Sequence, residues 1–209
     1  PLRDPGSPRM GARAIPAAIG SATKMSYNTS HVRIPEPIVV NLKNCSFRIE
    51  AKLEITSERP TGVVCCQGGN MAGWSLYFDE TSRPTYLYNA FGHEMSFARS
   101  APLAPGSHVL TVEFAYDGGL GAGGVAYLSI DGAAVDSCRI ERTIPVVFSM
   151  SGETFDVGLD TGSPVGPYPH VFAFTDRIVE VTLERLTELG EDDRRRLAAM
   201  EFRASVSSQ

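Results

Sequence analysis

Three carboxylates and a threonine fall close together in Ser151-Gly152-Glu153-Thr154-Phe155-Asp156-Val157-Gly158-Leu159-Asp160-Thr161-Gly162-Ser163-Pro164-Val165. If residues 155–159 are extended, Glu153 and Asp160 bracket a short strand. Two carboxylates presented on one sheet face, about 5–9 Å apart, are the machinery of glycosidic cleavage. The local sequence argues against it. Gly158, Gly162 and Pro164 make turns, where Asp, Thr and Ser bond to nearby backbone amides. The third reading is a docking or ligand loop built on Glu153, Asp156, Asp160 and Thr161. No Arg or Lys interrupts it, and Gly162, Pro164, Gly166, Pro167 and Pro169 keep it from being a regular strand.

Other chemistries have less to stand on. Calcium needs hard oxygen ligands, which Asp117, Asp156 and Asp160 could supply, but EF-hand spacing is absent. His31, His93, His108 and His170 are remote from any nucleophile elbow or reactive-cysteine sequence. His93 follows Gly92 at a turn, and His108 opens a strand as a solvated residue. Tyr116-Asp117-Gly118-Gly119-Leu120-Gly121-Ala122-Gly123-Gly124 is glycine-rich. A phosphate-cradling loop opens a helix, and this one joins two strands. Trp74, Tyr77, Tyr86, Tyr88 and Tyr116 could stack sugars, but Trp74, Leu76 and Phe78 share one strand face, as core residues do.

The elements that position these groups are strands. In 45–55, Phe47, Ile49, Ala51, Leu53 and Ile55 alternate with Arg48, Glu50, Lys52 and Glu54, which is a strand with one wet face. Further strands are expected at 61–67, 73–78, 85–91, 95–99, 110–116, 125–130, 133–140, 146–149, 155–159 and 179–183. Asp131-Gly132 between two alternating runs marks a tight hairpin, because both turn positions need φ > 0. With no crossover helices the architecture is all-β: a concanavalin-like antiparallel β-sandwich, or jelly roll. Residues 1–37, rich in Pro, Gly, Ala and Ser, form an irregular N-terminal arm. Residues 38–186 form the sandwich. Residues 187–209 hold a short C-terminal helix, acidic in its first turn, with Leu197, Met200 and Phe202 as a thin apolar stripe.

The 209 residues suit one such domain and can bury a core without disulfides or metal. A net charge of −5 disfavours nucleic acid as a partner. No apolar run is long enough to span a membrane. Cys45, Cys65, Cys66 and Cys138 read as small buried hydrophobes in a reducing, cytoplasmic setting, with Cys65 and Cys66 on opposite faces of one strand. A Cys45–Cys138 disulfide and a trimmed signal peptide stay open. The sequons at Asn28 and Asn44 are incidental.

Several motifs occur in order: Gln67-Gly68-Gly69, Gly73-Trp74-Ser75-Leu76-Tyr77, Tyr86-Leu87-Tyr88-Asn89, Phe114-Ala115-Tyr116-Asp117-Gly118-Gly119, Gly123-Gly124-Val125-Ala126-Tyr127-Leu128-Ser129-Ile130-Asp131-Gly132, Glu141 to Ser149 and Asp156 to Val165. Over residues 38–185 the series resembles the C-terminal, non-catalytic region of the long bacterial arylsulfatases. The resemblance implies a concanavalin-like sandwich attached to a sulfatase catalytic domain or chain. None of the four Cys stands in the Cys/Ser-x-Pro-x-Arg sequence from which a sulfatase makes formylglycine. The expectation is therefore a non-catalytic accessory module that docks to a catalytic domain or partner, with no catalytic residue and no cofactor. The alternative is a carbohydrate-binding module or glycoside hydrolase on the same fold, and a third option is a homo-oligomerisation domain.

Overall fold

The computed structural model describes residues 22–99, 101–188, 190–196 and 198–199. The eleven strands among them are β1 (Lys24–Tyr27), β2 (Phe47–Ile55), β3 (Gly62–Gly68), β4 (Ala72–Phe78), β5 (Pro84–Ala90), β6 (His93–Ala98), β7 (Gly106–Tyr116), β8 (Gly124–Ile130), β9 (Ala133–Ile140), β10 (Phe155–Val157) and β11 (Arg177–Arg185). They form two antiparallel sheets: a six-stranded one ordered β1-β11-β2-β7-β8-β9, and a five-stranded one ordered β10-β3-β4-β5-β6. The expected antiparallel sandwich is the observed fold. Among the described residues no helix is long and apolar enough to cross a membrane.

The period-two pattern of β2 decides which way the six-stranded sheet faces. Phe47, Ile49, Ala51, Leu53 and Ile55 join Leu110, Val112 and Phe114 of β7 in the core between the sheets. The charged residues of β2 face water and meet opposite charges across the ladder. Arg48 reaches Glu113 at 2.6 Å and Lys52 reaches Glu180 at 3.0 Å. Such exposed pairs contribute little stability, but like charges in those registers would repel.

The five-stranded sheet is buried on both faces at β3 and β4, where every residue is buried. Trp74, Leu76, Phe78, Tyr86 and Tyr88 fill the core side. On the other face, Val63, Cys66, Tyr77 and Leu87 pack under Val165, Tyr168 and Phe172. These last three belong to a strap, residues 158–175, that crosses the sheet. Its backbone sits close: Val63 N–H donates to Phe172 O at 2.9 Å, and a Cβ at Gly166 would lie 2.9 Å from Leu87 Cδ1. Cys65 lies in the inner core and Cys66 under the strap, so the two thiols do point to opposite faces. All four cysteines are free.

Two local expectations differ. Lys24–Tyr27, within the stretch expected to be irregular, is an edge strand paired with β11. Residues 146–149 are not a strand. The N–H groups of Phe148 and Ser149 donate to the Glu36 carboxylate, at 3.0 and 2.9 Å, instead of to a neighbouring strand. Residues 191–196 are helical as expected, while Leu197, Met200 and Phe202, like residues 1–21 of the arm, lie outside the described residues. Asp131 (φ 52°) and Gly132 (φ 78°) form the expected hairpin turn.

Candidate functional site

The carboxylates singled out in the sequence point inward. Asp156 accepts from Arg33 N–H through Oδ1, and through Oδ2 from Thr161 N–H at 3.1 Å, Thr161 Oγ1 at 2.8 Å and Thr154 Oγ1 at 3.2 Å. Asp160 accepts from Gly162 N–H, Val165 N–H and the Tyr168 hydroxyl. Burial, reinforced by the nearby Asp156 charge, raises the Asp160 carboxyl above the ordinary range. Glu153 accepts from Ser151 N–H at 2.7 Å and from Ser163 Oγ at 3.2 Å. The group of Glu153, Asp156, Asp160 and Thr161 therefore folds its own loop. The ligand atoms of Cys66, Asp156 and Asp160 lie within 4.8 Å of one another. A cation there would have to displace the N–H and O–H donors that already occupy the carboxylates. Asp117, the other oxygen donor considered for calcium, pairs with Arg139 at 2.6 Å.

His108 is equally committed. His108 Nδ1 bonds Asp131 Oδ2 at 2.7 Å and Nε2 bonds Ala104 O at 2.9 Å, so neither ring nitrogen is free to act as a base. The glycine-rich segment is a hairpin loop between β7 and β8. Tyr116 shapes it, donating to Gly119 O at 2.7 Å and accepting from Ala122 N–H at 3.0 Å. Buried Asn44 accepts from Gly121 N–H of the same loop at 2.9 Å and donates to Pro145 O at 2.7 Å.

Two cavities border segment 141–154, one beside the β5–β6 and β7–β8 turns and one that reaches Glu153. One is a cavity of about 610 Å³ lined by Phe91, His93, Met95, Leu120, Glu141 and Arg142, among others. Phe91 is 58% exposed and occupies the first position of the two-residue β5–β6 turn at φ +54°. Asn89 supports that turn from below by accepting Gly92 N–H at 2.9 Å. Left-handed backbone costs an L side chain about 1–2 kcal/mol, and turn chemistry favours Asn, Asp or Gly there. Here a bulky, water-exposed aromatic occupies it instead. Glu141 and Arg142 are exposed on the rim, and among the described residues Arg142 has no ion-pair partner. Sequence reasoning missed this site. The one available signal was Phe-Gly at a hairpin turn where Asn-Gly is the cheaper choice.

The second cavity, about 520 Å³, lies on the other side of segment 145–149 and is lined by Pro35, Glu36, Pro37, Val39, Lys43 and Ser149, among others. Glu36 and Lys43 form a buried ion pair there. Burial opposes ionisation of Glu36, but Lys43 and the two backbone donors outweigh it and hold the carboxyl below its ordinary range.

Neither protein-family models nor curated protein sequences match the chain. Solved structures do. The Ruminococcus gnavus IT-sialidase CBM40 bound to alpha2,6 sialyllactose superposes with a TM-score of 0.55 at 14% identity, covering 83% of this chain and 90% of that one. The leech intramolecular trans-sialidase gives 0.53 at 9% identity, over 84% of this chain and 27% of that one. NanB sialidase from Streptococcus pneumoniae gives 0.51 at 13%, over 78% and 25%. Identities this low show a shared sandwich fold, and the fold by itself assigns no ligand.

Proposed function

We propose that this chain is a non-catalytic carbohydrate-binding β-sandwich, and that its sugar site is the Phe91 cavity. Exposed Phe91, held in a left-handed turn against local preference at the mouth of a 610 Å³ cavity, carries the reading. The C–H face of a pyranose is apolar and packs on an aromatic ring, while its edge hydroxyls need polar partners. His93, Glu141 and Arg142 line the same cavity and supply donors and acceptors at its rim. Several of the superposable structures are carbohydrate-binding modules or sialidases, which supports a glycan as the ligand class.

The accessory role expected from the arylsulfatase resemblance is compatible with this reading, since a glycan-binding module also serves a catalytic chain. The loop from Ser151 to Tyr168 does not argue for docking, because its carboxylates are turned into the molecule. The test is a glycan array followed by calorimetric titration with the glycans that bind. Wild type binds, Phe91→Ala weakens binding at least tenfold while the fold survives, and no hydrolysis product appears. Failure of wild type to bind any glycan overturns the reading, as does equal binding by the Ala variant.

A further inference from the structure

The Phe91 cavity carries a positive charge that the protein itself does not answer. Its walls are largely apolar, with Met95, Leu120 and Pro145 beside Phe91. The charged residues that line it are Glu141 and Arg142, which follow β9 directly. The two are not equivalent. The Glu141 carboxylate stands 3.7 Å from Arg139 Nε, and Arg139 also pairs with Asp117. Arg142 is exposed and makes no ion pair among the described residues. A guanidinium offers five N–H donors in a planar fork, which matches a carboxylate through two parallel bonds. Apolar walls weaken the screening of such a pair, so it gains more there than in open water.

The ligand's side of that pair follows from how a sugar would lie. A pyranose ring laid on Phe91 turns its C–H face to the aromatic and sends its equatorial substituents outward to the rim. In a hexuronate the carboxylate is equatorial on C5 and nearly in the plane of the ring, so it leaves the stack sideways. In a sialoside the carboxylate is axial and rises out of the ring plane, and a polyol tail has to be housed as well. A neutral hexose leaves the Arg142 fork without an anion. A cavity of about 610 Å³ is within the range of small-molecule sites and holds such a ring.

We infer that this cavity selects acidic glycans of the hexuronate class, with Arg142 pairing the sugar carboxylate while Phe91 stacks the ring. Arg142 is then the specificity-determining residue of the site. The inference rests on the carbohydrate-binding reading of the same cavity and names its ligand class.

The experiment titrates the full chain at low salt, followed by NMR, with the methyl glycosides of glucuronate, galacturonate and mannuronate. Each is compared with its own methyl ester, which keeps the shape and removes the charge, and sialyllactose is titrated alongside. Wild type binds at least one hexuronate about tenfold or more tighter than its ester, and added salt shrinks the preference. Arg142→Gln brings that acid and its ester to about equal affinity and leaves the ester's own affinity unchanged. Arg142→Lys, which keeps the charge but loses the fork, retains part of the preference. Phe91→Ala weakens acid and ester alike. Melting temperatures of the Arg142 variants match wild type, because no intramolecular ion pair is lost. An intact preference in Arg142→Gln, no preference in wild type, or tighter binding of sialyllactose than of any hexuronate overturns hexuronate selection, while Phe91-dependent binding of a glycan still upholds the sugar site. If wild type binds none of these probes and no glycan on an array, both readings fall.

Discussion

The Tyr168 hydroxyl donates to Asp160 Oδ2 at 2.9 Å and lies 3.0 Å from Ser75 Oγ on β4, which ties the strap to the sheet it covers. All three residues are buried. The strap is thus anchored by a polar network under an apolar lid of Val165 and Phe172, and this network is where the loop carboxylates act.

Tyr168→Phe removes one of three donors to a buried carboxylate. Unfolding in urea is expected to show a loss of about 1–3 kcal/mol, the range for leaving a buried polar group short of a partner. Asp160→Ala strands Gly162 N–H, Val165 N–H and the Tyr168 hydroxyl and loses at least as much. Self-association and glycan titration should be unchanged in both. Weakened association in a variant of unaltered stability would restore the loop as a docking surface.

Asp176 pins the chain after β2. It accepts from Thr56 and Ser57 through both their N–H and hydroxyl groups. Partial burial opposes ionisation, but these donors prevail and hold its carboxyl at about 2. In an unfolded chain an Asp titrates near about 3.9. Its folded value is depressed, so its stabilisation is present above about pH 4 and is lost as pH falls toward 2. The stability difference between wild type and Asp176→Asn should narrow across that window, and a difference constant with pH would refute the assignment.

Thiol reactivity should divide three to one. Burial pushes the Cys45 thiol up to about 12 and raises those of Cys65 and Cys66 as well. Cys138 is half-buried at the edge strand β9. A disulfide reagent at pH 8 is expected to modify Cys138 in the native protein and four thiols after denaturation. Rapid native modification of Cys65 or Cys66 would mean that the sheet or its strap opens readily.

Phe91→Asn separates stability from binding. Asn tolerates φ near +54° and should raise stability by about 1 kcal/mol, the strain that Phe carries there. Glycan binding should fall with the loss of the ring. A variant that is less stable would show that Phe91 is held for packing and not for a ligand.

Local periodicity was enough to read β2, the Asp131-Gly132 hairpin and the opposed thiols of Cys65 and Cys66, because alternation along one strand is a local property of the chain. The same reading placed Trp74, Leu76 and Phe78 on one apolar face, and the core holds them. Tertiary structure alone decided which strands are neighbours, that Lys24–Tyr27 adds an edge to β11, and that residues 158–175 close over the outer face of the five-stranded sheet. It also decided the direction of the carboxylates. Glu153, Asp156 and Asp160 look available in a polar, turn-rich sequence, but their donors include Arg33 and come from chain folded back on itself. The same holds for Glu36, Lys43 and Ser149, which are separated by up to 113 residues and meet around one carboxylate. A strand's period tells which side chains share a face. It carries no information on what packs against that face, and both cavities are made by such long-range contacts.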